Sequence, residues 1–262
     1  MRKLLVFAAL IFTWSLAAVE GVLNEHRVKF GEAELIINAA GEVQMLLNGK
    51  PFIKKDHVSV SQNGKFLYST EWTREPVVLD FNEENGVFTA VITYKKEGVP
   101  GYRKTVTFKD GELTIETEFT EKVPSTMKAG FSLLLDPAYP LGSTFSSDRT
   151  PDGKIEADPQ KMNWNLSTRF SELTFPESNI SIQCQPSSWY FHDLRKHGSA
   201  NVRGYMLGPN LPGKSVIKIR WKELAASANL FPGDTSFETG LGFWIRLGHC
   251  KFYSEACCFH GK

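Results

Sequence analysis

Hydrophobic and polar residues alternate with a period of two along most of the chain between residues 30 and 221. This period is typical of β-strands that bury one face. The clearest case is a hairpin with arms at 102–109 and 112–120, joined by Asp110-Gly111. Val106 and Ile115 belong to one face of its arms, while Thr and charged residues belong to the other. The hairpin is therefore predicted to have one dry and one wet face, as in a layer of a sandwich.

Similar alternating segments are separated by turn residues, and Asn63-Gly64 is a strong signal for a two-residue hairpin loop. Further strands are predicted at 34–38, 43–47, 58–61, 65–68, 77–81, 87–94, 129–135, 172–175, 179–183, 202–207 and 215–221. No segment after residue 18 keeps a helical period over a useful length. The pattern predicts an all-β protein, a large antiparallel β-sandwich of the supersandwich type, with an open barrel as the alternative. The segment 137–165 is predicted to be a long irregular connection, a kind of loop that is usually functional or mobile.

The first 18 residues have the features of a secretory signal peptide. Arg2 and Lys3 precede an apolar run at 4–16, and Ala17 and Ala18 are small residues at a cleavage position. A membrane-anchoring helix is the alternative, but the run is shorter than the ~20 residues that a span needs. We expect a secreted or periplasmic protein that has no membrane contact after cleavage.

Charge and cysteine content narrow the class of protein. The formal net charge is +1, and removal of the signal peptide leaves the chain nearly neutral. A nucleic-acid or anionic-membrane partner would need a basic field, so neither is expected. Cys184 is the single cysteine of the body, and the other three lie at 250, 257 and 258. Disulfide scaffolds spread an even number of cysteines through the fold, so the body is expected to fold without disulfides, with Cys184 as a buried thiol.

Two sequence segments resemble a known type of sandwich. They are Gly-Tyr-Arg-Lys-Thr-Val-Thr-Phe-Lys-Asp-Gly-Glu-Leu-Thr-Ile-Glu-Thr-Glu-Phe at 101–119 and Phe-Ser-Leu-Leu-Leu at 131–135. Both resemble the broad β-sandwich of galactose-mutarotase-like proteins, which also occurs as an accessory domain of many secreted polysaccharide lyases and glycoside hydrolases. The resemblance implies a carbohydrate-related β-sandwich domain at residues 22–224. Architecture of this kind does not by itself fix a reaction.

A second resemblance concerns the run Asn-Leu-Phe-Pro-Gly-Asp-Thr-Ser-Phe-Glu-Thr-Gly-Leu-Gly-Phe-Trp at 229–244. It resembles the opening strand of the jelly-roll carbohydrate-binding modules of secreted glycoside hydrolases. Only 18 residues follow it, too few to close an eight-stranded jelly roll. Residues 225–244 are therefore predicted to be a linker and the truncated start of such a module. The parent protein is expected to be a glycoside hydrolase whose C-terminal catalytic domain is missing here.

The last residues, 245–262, are predicted to be a non-native tail. The alternative is a metal site, because His and Cys residues cluster there, at 249, 250, 257, 258 and 260. Zinc sites bring two distant ligand pairs together, and this cluster has no second pair elsewhere in the sequence.

Two further patterns imitate known ligand sites. Residues 208–215 match the phosphate-loop pattern G-x-x-x-x-G-K-S, but Pro209 and Pro212 each remove a backbone N–H from the loop. The following residues alternate as a strand, so a hairpin turn is predicted instead of a nucleotide site. Calcium is the one cofactor considered, because acidic residues crowd the segment near Gly153 at 148, 152, 156 and 158. Their spacing differs from the EF-hand pattern, and Asp-Gly and Asp-Pro are ordinary turn formers.

Aromatic residues in polar, loop-like settings are the candidate carbohydrate contacts: Trp72, Trp164, Trp189 and Tyr190. Exposed aromatic rings are uncommon on soluble proteins and favour a binding role, and flat rings stack on pyranose faces. Packing at the rim of the sandwich is the alternative for each. His192 and Arg195, near Asp193, are added as polar candidates; they form either an acid–base cluster or a solvated loop with ion pairs.

These observations favour a non-catalytic β-sandwich module of a secreted carbohydrate-active protein, which binds or positions a polysaccharide or oligosaccharide. The first alternative is a sugar enzyme of the aldose-epimerase or polysaccharide-lyase type, with His192 and a nearby carboxylate as acid and base. The second is a structural module that packs against a partner domain. No residue set in the sequence identifies a catalytic group.

Overall fold

The computed structural model describes residues 25–70, 77–158, 168–185, 187, 189–207, 213–221, 236–238 and 244–246. The strands up to residue 119 are β1 (Glu25–Phe30), β2 (Ala33–Asn38), β3 (Val43–Leu47), β4 (Lys50–Gln62), β5 (Lys65–Ser69), β6 (Val78–Glu84), β7 (Val87–Lys96), β8 (Val99–Lys109) and β9 (Glu112–Phe119). Those that follow are β10 (Met127–Leu135), β11 (Thr144–Ser147), β12 (Gly153–Lys154), β13 (Thr168–Phe170), β14 (Glu172–Phe175), β15 (Ile180–Gln185), β16 (Trp189–Leu194), β17 (Ser199–Leu207), β18 (Lys214–Arg220), β19 (Ser236–Glu238) and β20 (Trp244–Arg246). Two single 3-10 turns, Pro176–Ser178 and Arg195–His197, are the helical segments of the described part.

Two large antiparallel sheets make up the body, which confirms the predicted sandwich. The first sheet has the order β1-β2-β3-β4-β10-β17-β16-β13, and β5 pairs with β4 beside this path. The second sheet has the order β12-β11-β14-β15-β18-β9-β8-β7-β6. Inward residues of both sheets, such as Val58, Val106, Leu113 and Leu133, are buried in one continuous core. The period-two pattern of the sequence is therefore the pattern of burial.

Asn-Gly turns set the register of several hairpins. Asn48, Asn63 and Asn85 have φ values of 54°, 50° and 53°, and each is followed by a glycine that also has positive φ. Positive φ at both central residues is the type I′ geometry, whose twist matches that of the flanking strands. The predicted Asn63-Gly64 hairpin between β4 and β5 is thus confirmed.

Two segments that the sequence pattern left irregular contain strands. The segment 137–165 includes β11 and β12, which pair with each other. Residues 189–194, interpreted as a polar loop, form β16 in the first sheet, so that interpretation is wrong. Trp189, Phe191 and Asp193 occupy successive inward positions of this strand. Because Asp193 is charged, the sequence does not show the regular apolar alternation that predicts a strand.

The interior of the sandwich holds an ion pair that the sequence pattern did not indicate. Lys104 lies on the inward face of β8 and is fully buried, at 0% relative exposure. Its Nζ donates to Asp56 Oδ2 at 2.5 Å and to the Gly41 carbonyl at 2.8 Å. The other carboxylate oxygen of Asp56 accepts a hydrogen bond from the Val43 amide at 2.6 Å. The pair links β4 of the first sheet to β8 of the second.

Glu42 lies beside this pair and is also buried, at 8% relative exposure. One of its carboxylate oxygens accepts a hydrogen bond from Asn38 Nδ2 at 2.8 Å, whereas Oε1 is buried without a hydrogen-bond partner. Burial raises the pKa of Glu42 above its ordinary value, and the nearby charge of Asp56 adds to the rise.

Residues 222–262 form a second compact unit, in which β19 and β20 make one antiparallel hairpin. The predicted signal peptide (1–18) and most of the predicted jelly-roll start and tail lie outside the described residues. So do residues 208–212 of the phosphate-loop pattern; the residues after it form β18, a strand as predicted. Within the described ranges, no helix has the length and apolar character needed to cross a bilayer.

Candidate functional site

The outward side chains of three central strands of the first sheet form a polar surface, which we call the outer face. They are Lys55, His57, Ser59 and Ser61 on β4, Lys128, Ser132 and Leu134 on β10, and Tyr190 and His192 on β16. Lys128 is exposed and the others are half-buried, whereas the alternate residues of the same strands lie in the core. The outer face therefore combines hydroxyl, imidazole, phenol and ammonium groups, all of which can hydrogen-bond to sugar hydroxyls.

Tyr190 and His192 occupy neighbouring outward positions of β16. Their ring centroids are 6.0 Å apart and the ring planes meet at 74°, an edge-to-face arrangement. The strand register places Tyr190 of β16 opposite Arg203 of β17 and places Arg203 opposite Ser132 of β10. Ser132 in turn lies opposite His57 of β4. At about 4.8 Å per strand, this row extends about 14 Å across the sheet. The fold thus brings His57, which the sequence did not single out, to the same face as two predicted site residues.

Phe66 is a second candidate that the sequence did not single out. It is one of two large hydrophobic residues found exposed in the described part of the chain, at 43%. Its Cα partner is Ser61, and Ser61 is also the partner of Lys128, so Phe66 extends the outer face at β5. Alternation alone would have placed Phe66 on the same side as Tyr68, which is buried, and the register shift between Val60 and Ser61 is what separates the two rings. An exposed ring next to hydroxyl and ammonium groups is suited to stacking on a pyranose.

Of the predicted tryptophans, Trp189 is described and is 1% exposed. Its ring lies in the core below the outer face, which favours the packing alternative for this residue. Trp72 and Trp164 lie outside the described residues, so their contact with carbohydrate stays a prediction.

Contacts within the protein occupy several hydrogen-bond donors of the Arg195 guanidinium. Its Nε lies 2.9 Å from both carboxylate oxygens of the buried Asp193, and a terminal nitrogen is 2.7 Å from Oδ2. Arg195 also donates to the carbonyl of Glu156, which ties the 3-10 turn 195–197 to the segment after β12. It holds this turn and balances the charge of Asp193, and its role toward a glycan stays a prediction.

The described side chains of the outer face do not form an acid–base pair of the epimerase or hydrolase type. The carboxylates of β4, β10 and β16 are Asp56 and Asp193, and both are buried with a basic partner. The acid–base pair expected from the sequence consists of His192 and a carboxylate on the same face. Among the described side chains of these three strands, no carboxylate therefore joins His192 on the outer face.

Asp148, one of the four acidic residues of the predicted calcium segment, has local structural contacts. Partial burial of Asp148 would raise its pKa, but hydrogen bonds from Ser171 and from the Glu172 amide outweigh this effect and lower the pKa. Within the described residues, no group of three or more His, Cys, Asp or Glu side chains lies close enough to hold a metal ion.

A neighbouring acidic residue, Glu177, organises the chain before β11. Its Oε1 accepts hydrogen bonds from the amides and hydroxyls of Ser143 and Thr144, at 2.8–3.0 Å. The Ser143 hydroxyl and amide, followed by Thr144, lower the pKa of Glu177. These contacts identify Glu177 as a loop-ordering residue.

An open cleft of about 460 Å³ lies at the turn between β7 and β8, and Lys95, Lys96, Glu97 and Glu121 line it. The Gly101 amide in the cleft donates to Glu121 Oε1 at 3.2 Å. The described lining residues have charges of both signs and include no aromatic ring, so the outer face fits a sugar better than the cleft does.

Comparison with known proteins yields structural neighbours only, since no protein-family model and no curated protein sequence matches the chain. An α-N-acetylgalactosaminidase, NagBb of Bifidobacterium bifidum, solved with GalNAc, is similar with a TM-score of 0.49 and 8% identity over 74% of this chain and 35% of that one. A protein of Escherichia coli K12 assigned as aldose 1-epimerase gives 0.41 and 13%, over 76% and 99%. A heparinase III gives 0.44 and 15%, over 84% and 37%.

These neighbours belong to the classes of protein that the sequence resemblance named, an aldose-epimerase type and enzymes of the glycosidase and lyase types. All three TM-scores lie below 0.5, at identities of 15% or less. The chain spans about a third of the length of NagBb, at 35%.

Proposed function

We propose that this chain is a non-catalytic β-sandwich module of a secreted carbohydrate-active protein, which binds or positions a polysaccharide through the outer face. The observation that carries the proposal is the composition of that face. Tyr190, His192, His57 and Ser132 are half-buried, outward side chains of adjoining or nearby strands, and Phe66 adds an exposed ring at one end. A broad surface of hydrogen-bond donors with aromatic rings is suited to a flat polysaccharide chain.

The non-catalytic part of the proposal is supported by the carboxylates. Glycoside hydrolysis uses two carboxylic groups that flank the scissile bond. In the described part of β4, β10 and β16, Asp56 and Asp193 are the two carboxylates, and their buried ion pairs keep them off the outer face.

Affinity electrophoresis of the full chain through gels that contain plant or algal polysaccharides tests this function. Retention is expected in at least one gel, with Tyr190→Ala and His192→Ala each weakening the interaction about tenfold, the loss of one good contact. Thr114→Ala is the matched control, because Thr114 is a half-buried outward residue of the second sheet. Equal mobility in every gel would refute the binding role and leave the structural-packing alternative.

A second candidate, the aldose-epimerase type, has one observation in its favour. His57 and His192 share the outer face, and imidazoles act as general acids and bases near neutral pH. Polarimetry with freshly dissolved glucose and galactose separates the two functions. Accelerated mutarotation that is lost in His192→Ala would establish the enzyme, whereas the proposed module leaves the spontaneous rate unchanged.

A further inference from the structure

Lys104 and Asp56 hold an amine and a carboxyl group in contact inside the sandwich. Lys104 Nζ lies 2.5 Å from Asp56 Oδ2. Within the described residues Lys104 is the one buried lysine, at 0% relative exposure, and Asp56 is 4% exposed. Charged groups are costly to bury. Transfer of one proton from Nζ to Oδ2 turns the pair into a neutral amine and a carboxylic acid, which are the reactants of amide formation.

Apolar residues of both sheets enclose the pair. In the strand register, Lys104 lies opposite Ile92 of β7 and Asp56 lies opposite Leu133 of β10, and both apolar residues are 0% exposed. Gly41 packs so closely that a Cβ there would lie 2.5 Å from Ile92, so a glycine is needed for the chain to approach Lys104. Exclusion of bulk solvent favours condensation over hydrolysis, because water is the product of the first reaction and the reactant of the second.

Two backbone groups between the end of β2 and the start of β3 fix the reacting atoms. The Val43 amide donates to Asp56 Oδ1 at 2.6 Å, and the Gly41 carbonyl accepts a hydrogen bond from Lys104 Nζ at 2.8 Å. The Val43 N–H is aimed at the oxygen on which negative charge develops when an amine attacks the carboxyl carbon, as in an oxyanion hole. The Gly41 carbonyl holds Nζ beside that carbon, so both contacts favour the reaction.

Glu42, which lies between these two backbone groups in the chain, supplies a second buried carboxyl group. Its Oε1 is buried without a hydrogen-bond partner, and the charges of Asp56 and Lys104 both act on it. Burial raises the pKa of Glu42, while the hydrogen bond from Asn38 and the charge of Lys55 oppose the rise in part. A carboxyl with a raised pKa keeps its proton to a higher pH, so Glu42 is suited to give a proton to one reacting atom and accept one from another.

We propose that Lys104 and Asp56 condense to an intramolecular amide, which joins the two sheets covalently between β8 and β4. Nζ attacks Cγ of Asp56, the C–N bond forms and the bond from Cγ to Oδ2 breaks. Oδ2 leaves as one water molecule with two of the three ammonium protons, and the third proton stays on the amide nitrogen. Glu42 gives its proton to Oδ2 and receives one from Nζ, so its own protonation is unchanged. The step is neither an oxidation nor a reduction, and it releases water alone.

Proximity and burial together drive the condensation. An amine and a carboxylic acid in dilute water do not condense to a useful extent, but groups held in contact react with effective molarities of about 10⁵–10⁸ M. The product amide is neutral, so the cost of keeping two charges buried disappears. Until the bond forms, the two residues keep their ion pair. The uncondensed chain is therefore the reference for the folding stability of variants at positions 42, 56 and 104.

Peptide mapping of the full chain tests the bond directly. Trypsin cuts before Asp56 and before Lys104, which begin the fragments 56–65 and 104–109. We expect a branched product that contains both fragments and weighs one water molecule less than their sum, with fragmentation spectra that assign the link to Asp56 and Lys104. Recovery of the two segments only as separate linear peptides would overturn the proposal.

An exposed ion pair of the same chain is the matched control. Lys214 Nζ lies 2.8 Å from Glu116, but the two side chains are 47% and 39% exposed. The same digest should contain no peptide branched at this pair, because hydrated ions do not condense. A branched product there in equal yield would assign both links to sample handling and overturn the proposal. Asp56→Ala lacks the carboxyl and should yield linear peptides alone, whether or not the variant folds.

Glu42→Gln tests the proton transfer. Cell-free synthesis of the full chain, sampled over time, gives the rate at which the branched product appears. The variant is expected to condense about a hundredfold more slowly than the wild type, a typical loss for a general acid–base group. Glu34→Gln, which removes a half-exposed partner of Arg27, should condense at the wild-type rate, and circular dichroism checks that both variants keep the sandwich. Equal rates for Glu42→Gln and the wild type would overturn the role of Glu42 and leave the bond to the peptide map.

Discussion

The buried Lys104–Asp56 pair allows a quantitative prediction about stability. Lys104 is fully buried and Asp56 nearly so, and the pair joins the two sheets. Removing one partner leaves the other charge buried and uncompensated, which costs about 3–5 kcal/mol. Asp56→Asn removes the negative charge and leaves the ammonium with neutral acceptors such as the Gly41 carbonyl, and Lys104→Met leaves the carboxylate with the Val43 amide as its donor. Each single variant is expected to lose stability in this range.

The double variant Asp56→Asn with Lys104→Met removes both charges at once. Replacing a complete buried pair by neutral groups is often close to neutral in stability. The Gly41 carbonyl still loses its donor, and an unsatisfied buried acceptor costs about 1–3 kcal/mol. We therefore expect the double variant to lose at most about 2 kcal/mol of stability relative to the wild type. This loss is much smaller than the sum of the losses of the two single variants.

Urea unfolding followed by tryptophan fluorescence measures these differences, with the buried Trp189 and Trp221 as reporters. Glu116→Gln is the matched control, because its ion pair with Lys214 has a similar 2.8 Å distance but side chains 39% and 47% exposed. An exposed pair is worth about 0–1 kcal/mol. Single losses below about 1 kcal/mol, or effects that simply add in the double variant, would refute the reasoning.

Three further predictions concern turns and carboxylates. Gly41→Ala should cost more than about 2 kcal/mol, because φ is +73° and a Cβ would lie 2.5 Å from Ile92, whereas Gly64→Ala, at +77° in open space, should cost about 1 kcal/mol in the same urea assay. The folded pKa of the Glu42 carboxyl is raised, so the wild type should lose stability as the pH rises from about 4.5 to 7 and this buried group ionises. Glu42→Gln has no such group and should therefore gain stability relative to the wild type over this range. Melting temperatures of the two proteins that differ by the same amount at every pH would contradict this prediction. Glu177→Gln should be less stable than the wild type at pH 7 and approach it on acidification, because a lowered folded pKa stabilises the fold above about pH 4.5 and the effect disappears as the pH falls through the folded value; a constant gap between the two melting curves would show that ionisation is not involved.

The outer face contains two residues that the sequence identified as candidates and two that it did not. Tyr190 and His192 were identified from the sequence and lie on the outer face, although the segment that contains them is a strand and not a loop. Trp189, one position away, lies in the core, since neighbouring residues of a strand point to opposite sides. His57 and Phe66 were missed because their place beside these residues depends on which strands pair.

The sequence by itself determined the fold class, most strands from residue 34 onward and the Asn-Gly turns, because alternation of side chains and positive φ are properties of neighbouring residues. Tertiary structure alone decided the order of strands in each sheet, the burial of Lys104 against Asp56, and the placement of His57 on the same face as Tyr190 and His192. These features join residues far apart in the chain, such as Lys55 on β4 and His192 on β16. Their pairing follows from the packing of two whole sheets, and no local pattern records it.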